Sequence, residues 1–116
     1  MESKGLFETA RINNVIVITL PTRFDASISN DLKEIISKHI NEGFYKFVID
    51  FSKTTFIDSS GLGAIVSKIS VCRANNGDVK LSNVAEKIKG VLSITHLDKI
   101  LNIYADFESA TNSYKQ

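Results

Sequence analysis

The sequence predicts one α/β domain built on a mixed β-sheet, and three observations carry that prediction. Strand-like and helix-like segments alternate along the chain. Asn13-Asn14 joins two strand-like runs, and asparagine tolerates positive φ, so the pair reads as a hairpin turn that demands one antiparallel pairing. Phe47-Val-Ile-Asp-Phe51 is short and nearly all apolar, as expected of a central strand covered on both faces. Later strand–helix–strand connections are expected to be right-handed crossovers. The 116 residues, 43% of them hydrophobic, contain no repeat, low-complexity tract or dividing linker, so residues 1–116 are read as one domain.

Each element follows in order. Leu6–Ile12 alternates loosely and Val15–Leu20 is strongly strand-like, ending at Pro21, which cannot donate to a ladder. From Ile28, the apolar positions Leu32, Ile35, Ile36 and Ile40 share one helix face. Ser27 or Asp25 is the expected cap and Gly43 the expected stop. His39, at the margin of that stripe, reads as a structural or surface residue. After the central strand, Lys53–Ile57 leads into the hexapeptide Asp58-Ser-Ser-Gly-Leu-Gly63. Leu62, Ile65, Val66, Ile69 and Cys72 then keep helical spacing until Asn75-Asn76-Gly77. Val79–Leu81 is a brief strand, and Asn83 with Glu86 resembles a capping box for a helix burying Val84, Ile88, Val91 and Leu92. Ile100–Tyr104 is expected as a last strand, with Phe107, Ala110 and Tyr114 on one face of a terminal helix.

Composition removes several classes of function. A formal net charge of +1 with scattered lysines and arginines gives no electrostatic reason to expect nucleic acid. One cysteine, Cys72, and two histidines, His39 and His96, lack zinc-ligand spacing, so no metal or other cofactor is expected. The N-terminal residues have no apolar core of signal-peptide length, and no apolar run approaches 18 residues. The expected location is therefore the cytoplasm, with no direct insertion into a membrane.

The hexapeptide carries the chemistry. It places two hydroxyls, a carboxylate and two glycines where a helix should begin, a position whose unpaired N–H groups and dipole suit a phosphate. As a structural feature, Asp58 or Ser59 caps the helix, although two glycines exceed what a cap needs. As an enzyme, a serine would be a nucleophile and would require a base. There is no Gly-x-Ser-x-Gly elbow and no Gly-Lys-Ser/Thr phosphate loop, and neither histidine stands in a catalytic context. As a switch, a serine would accept a phosphoryl group from a partner kinase. The added charge would be opposed by Asp58 and by an acidic or desolvated partner surface.

Phe47-Val-Ile-Asp-Phe-Ser52 followed by Phe56-Ile-Asp-Ser-Ser-Gly-Leu-Gly63 resembles the signature of the STAS domain family, and most closely its bacterial anti-sigma factor antagonists. Arg23-Phe-Asp-Ala26, Gly77-Asp-Val-Lys-Leu81 and Thr95-His-Leu-Asp-Lys-Ile-Leu101 extend the resemblance over roughly residues 6 to 114. It implies a STAS-like mixed sheet of about four to five strands with helices packed mainly on one side. It also implies partner switching by a protein that is not an enzyme. The unphosphorylated antagonist binds an anti-sigma factor of serine/threonine-kinase type, is phosphorylated and released, and is reset by a phosphatase.

In the family pattern the acceptor maps to Ser59, and Ser60 takes a position that also accepts alanine. Asp25 matches a loop aspartate near the acceptor. Asp58, Gly61, Leu62 and Gly63 complete the expected partner-binding or switch site, the glycines giving a partner access to the backbone. Outside the hexapeptide, Ser67, Lys68 and Arg73 are the expected contact positions, whereas Ile65, Val66 and Ile69 are expected core. The lead-in departs from the pattern: Thr22 stands where glycine is usual, and Arg23 adds a charge suited to pairing with a phosphoserine. The free protein is expected to be a monomer. The competing expectation is a non-enzymatic STAS scaffold, or an accessory subunit of a signalling complex or membrane transport system.

Overall fold

The structure, a computed structural model, describes residues 6–115; residues 1–5 and 116 lie outside the described residues. β1 (Glu8–Ile12) and β2 (Val15–Thr19) pair antiparallel across the asparagine turn, where Asn13 takes φ +57° as that turn requires. β3 (Arg23–Phe24) and α1 (Ser29–Asn41) follow, and Gly43 at φ +95° releases the chain from α1. β4 (Lys46–Asp50) leads through β5 (Phe56–Ile57) into α2 (Ser59–Val66) and α3 (Ile69–Ala74). Then come β6 (Asp78–Ser82), α4 (Glu86–Ile94), β7 (Ile103–Tyr104) and α5 (Phe107–Asn112).

The main sheet has the order β1-β2-β4-β6-β7, parallel except for β1. β4 lies at its centre, in keeping with its continuous apolar run. Alternation of side chains along the strands produces two unequal faces. Ile16, Ile18, Phe47, Ile49, Val79 and Leu81 form the large core with residues of α1, α2, α3 and α4. The other face is smaller: Val15, Val17 and Val48 pack with Ala110 of α5, joined by Tyr104 and Tyr114. The mixed five-stranded sheet with helices mainly on one side is thus the observed architecture.

Several local expectations need correction. Neither Asp25 nor Ser27 caps α1, whose N-cap is Ile28 without a side-chain hydrogen bond; both side chains are engaged with each other instead. Asn83 does not cap α4, which starts after Ala85. At φ +55°, Asn83 turns its amide to the buried Asp50 carboxylate, 2.7 Å away. The expected single helix after the hexapeptide is two helices. Ser67 Oγ donates to Ala64 O at 2.8 Å at the break, a local bond that competes with helix continuation. Leu97–Lys99 forms a 3-10 turn, so only Ile103–Tyr104 of the last expected strand pairs. Phe107 is exposed, and Tyr114 lies beyond α5 in a further 3-10 turn.

A second sheet was absent from the expectation altogether. β3 and β5 pair in parallel, with Arg23 beside Phe56 and Phe24 beside Ile57. Two residues per strand leave no periodicity to detect.

Candidate functional site

The two-residue sheet brings the Arg23–Ser27 loop to the start of α2. Thr55 N donates to Thr22 O at 2.8 Å, and Thr54 Oγ1 to Pro21 O at 2.9 Å, stitching the two lead-ins together. Asp58 then joins loop and helix. One carboxylate oxygen accepts from Gly61 N at 2.9 Å as the N-cap of α2, and the other accepts from Ala26 N at 3.0 Å. Hence the cap also fixes the loop that carries Arg23 and Asp25.

Ser59 and Ser60 occupy the first two positions of α2 and are exposed. Among the described residues neither hydroxyl makes a hydrogen bond to another side chain or to the backbone. Gly63 is exposed as well, with open space where a Cβ would stand. Gly61 and Leu62 behave differently. Leu62 is part of the core, and a Cβ on Gly61 would lie 2.9 Å from Ile57 Cγ1, Phe24 Cδ2 and Phe24 O. The backbone given access at Gly61 is therefore the chain's own, that of β3, and this is why the helix can begin against the small sheet.

Arg23 and Asp25 form one unit beside this helix start. Arg23 Nε donates to Asp25 Oδ2 at 2.9 Å, and its guanidinium lies 4.1 Å from the centre of the Phe56 ring. Asp25 Oδ1 accepts from Ser27 Oγ at 2.6 Å and Ser27 N at 3.0 Å. The Ser27 hydroxyl bond above all, then the Arg23 bond, holds the Asp25 carboxyl below the usual carboxylate range. The Arg23 side chain is still 65% exposed, so the pair is a surface feature and not a buried anchor.

Every residue of the expected site except Leu62 and Gly61 presents itself on or near one surface. Sequence reasoning missed two members: the amide of Ala26, for which no sequence signal exists, and the ring of Phe56 beneath Arg23. Of the outlying contact positions, Ser67 and Arg73 are exposed. Lys68 is half-buried, and Arg73 is tied to Asp78 Oδ1 at 2.9 Å and Ile100 O at 2.6 Å.

The arrangement contains two hydroxyls, of Ser59 and Ser60, and among the described residues no base is hydrogen-bonded to either. His39 Nδ1 lies 2.8 Å from Ile35 O, which can only accept, so this nitrogen holds its proton; the ring also meets Phe44 and Phe47 edge to face. His39 is the structural residue expected. Among the described residues no cluster of His, Cys, Asp and Glu could hold a metal ion, and no helix is long and apolar enough to cross a membrane.

Comparison with known proteins places the chain in a wider group. The model of the STAS domain matches residues 7–110. A Thermotoga maritima protein described as a candidate anti-sigma factor antagonist is 29% identical over 109 residues, covering 91% of this chain and 96% of that protein. Its homologue from Thermotoga neapolitana is 32% identical over 98 residues, covering 82% and 86%. The crystal structure of a candidate anti-sigma factor antagonist from Thermotoga maritima superposes with a TM-score of 0.87 at 25% identity, covering 97% of each chain.

Proposed function

The chain belongs to the STAS domain family, and on that premise we propose that it is an anti-sigma factor antagonist acting by partner switching. In the unphosphorylated state it binds an anti-sigma factor of serine/threonine-kinase type. Phosphorylation of Ser59 by that kinase releases it, and a phosphatase restores the binding form. The protein acts in the cytoplasm as a monomer and catalyses no reaction itself.

One observation carries this reading: the Ser59 hydroxyl is exposed and unbonded at the first position of α2, beside a carboxylate already committed as the cap. A kinase can reach such a hydroxyl without unfolding the helix. A phosphate there adds up to about two negative charges next to Asp58. The helix dipole favours that charge locally, so the fold is retained while a docked acidic or desolvated surface is repelled. The descriptions of the Thermotoga relatives support the same assignment.

Ser60 plays a supporting part, and Gly63 leaves the surface open to a partner backbone. Arg23, balanced by Asp25 on its stack over Phe56, tunes which partner is accepted.

The test is to incubate the protein with ATP and each candidate anti-sigma kinase of its genome, then to read intact mass and map the modified residue. One phosphoryl group on Ser59, lost in Ser59→Ala and kept in Ser60→Ala, is the expected result. Absence of modification by every such kinase would leave a scaffold role in place of the switch.

A further inference from the structure

A buried cation lies within β6, beside Val48 and near the α5 side of the sheet. Lys80, in the middle of β6, is only 9% exposed, yet among the described residues no carboxylate pairs with it. Its Nζ donates to Ser113 Oγ at 2.6 Å and lies 4.0 Å and 5.5 Å from the ring centres of Tyr114 and Tyr104. Ring faces offset part of the cost of desolvating an ammonium, but they supply neither a counter-charge nor further acceptors. Among the described residues, two of its three donor directions are left without an oxygen.

The cleft around it is rich in donors. A cavity of about 370 Å³ at the N-terminal ends of β4 and β6 is lined by Lys80, Lys46, Asn76, Asn102 and Ser113, with Tyr114 and Asp78 in its walls. Lys46 likewise has no carboxylate partner among the described residues. Asp78 is the acidic group in the lining, and it is spoken for: Arg73 Nε lies 2.9 Å from one oxygen, the Val79 amide 2.8 Å from the same oxygen, and Asn102 Nδ2 3.3 Å from the other. The Tyr114 hydroxyl closes the base, 2.7 Å from Phe47 O and 2.8 Å from Asp78 O. Among the described residues the balance is two ammonium groups without a carboxylate partner against a carboxylate that Arg73 already neutralises.

We propose that this cleft is a binding site for a phosphate group, held by the ammonium groups of Lys80 and Lys46 with the amides of Asn76 and Asn102 at its rim. A tetrahedral oxyanion provides several acceptors at once, and it supplies the counter-charge that Lys80 lacks among the described residues. The site is distinct from the switch at Ser59: it opens at the N-terminal ends of β4 and β6, whereas α2 begins beyond the C-terminal end of β4.

The test is a titration at constant ionic strength, with inorganic phosphate and ribose 5-phosphate run side by side and amide shifts recorded by NMR. Saturable movement of the Gly77, Lys80, Asn102 and Ser113 signals is expected, while the same concentration of chloride leaves them in place. Tighter binding of the ester would assign the site to a phosphorylated metabolite, and tighter binding of the free ion to phosphate itself. Lys80→Met keeps the aliphatic stem and should weaken the response at least tenfold; Lys46→Gln, at the more open edge, should weaken it several-fold without depending on a buried change. No movement with either ligand in the parent protein, or undiminished binding in both variants, would overturn the proposal.

Discussion

Gly61 and Gly63 are two residues apart in one helix, yet the structure gives them opposite tasks. A methyl group at Gly61 meets Phe24 O, a backbone atom that cannot rotate away. Gly61→Ala should therefore destabilise the protein by about 1–3 kcal/mol, the usual cost of overpacking. At Gly63 the added methyl meets nothing within 4 Å, so Gly63→Ala should be neutral or stabilising by up to about 1 kcal/mol through helix propensity. Urea unfolding of the two variants measures the contrast, and equal effects would remove the packing explanation. The same two residues mark how much of the site was legible in the sequence. The hexapeptide locates the helix start but leaves the cap open between Asp58 and Ser59, and the structure decides for Asp58; Ser59 is singled out from Ser60 by the family resemblance alone. Which glycine faces inward depends on the two-residue strands Arg23–Phe24 and Phe56–Ile57, too short to leave a pattern.

Among the elements, strands were more legible than the joints between them. Phe47–Phe51 announced the centre of the sheet because both its faces are covered, and Asn13-Asn14 announced the hairpin because few residues accept positive φ. Asn83 misled for a related reason: asparagine suits both a helix cap and a left-handed turn, and only tertiary contacts decide between them. Here the deciding contact is Asp50, 5% exposed at the end of β4. It accepts from Ser82 Oγ at 2.8 Å, Asn83 Nδ2 at 2.7 Å and Ser52 Oγ at 2.5 Å. One carboxylate thus ties the end of β4 to the end of β6 and to the loop leading towards α2. Asp50→Ala should cost about 1–3 kcal/mol, since it leaves the buried Ser82 hydroxyl and the half-buried Asn83 amide without their acceptor, while the exposed Ser52 hydroxyl can turn to water. Chemical denaturation reads the loss; a change below about 1 kcal/mol would mean that solvent reaches the cluster and replaces the carboxylate.

For the molecule as a whole, the question is whether charge at Ser59 acts by refolding the domain or by altering its surface alone. The chain carries a formal net charge of +1, so a phosphate worth about −2 reverses its sign without creating strong self-repulsion. Ser59 lies outside the core, its hydroxyl holds nothing in place, and the cap at Asp58 does not use it. A carboxylate at the first position of a helix also meets the favourable end of the dipole, an effect of about 0.3–1 kcal/mol. Ser59→Glu should therefore leave unfolding free energy within about 1 kcal/mol of the parent. Its amide shifts should change only in the Arg23–Ser27 loop and the first turns of α2, with β1, β6 and α5 unmoved. Binding to the anti-sigma partner should fall in Ser59→Glu and persist in Ser59→Ala, because only the former brings charge to the contact. Shift changes running through the sheet, or a large loss of stability, would show that the charge acts on the fold. Equal binding by the two variants would show that it does not act through repulsion at all.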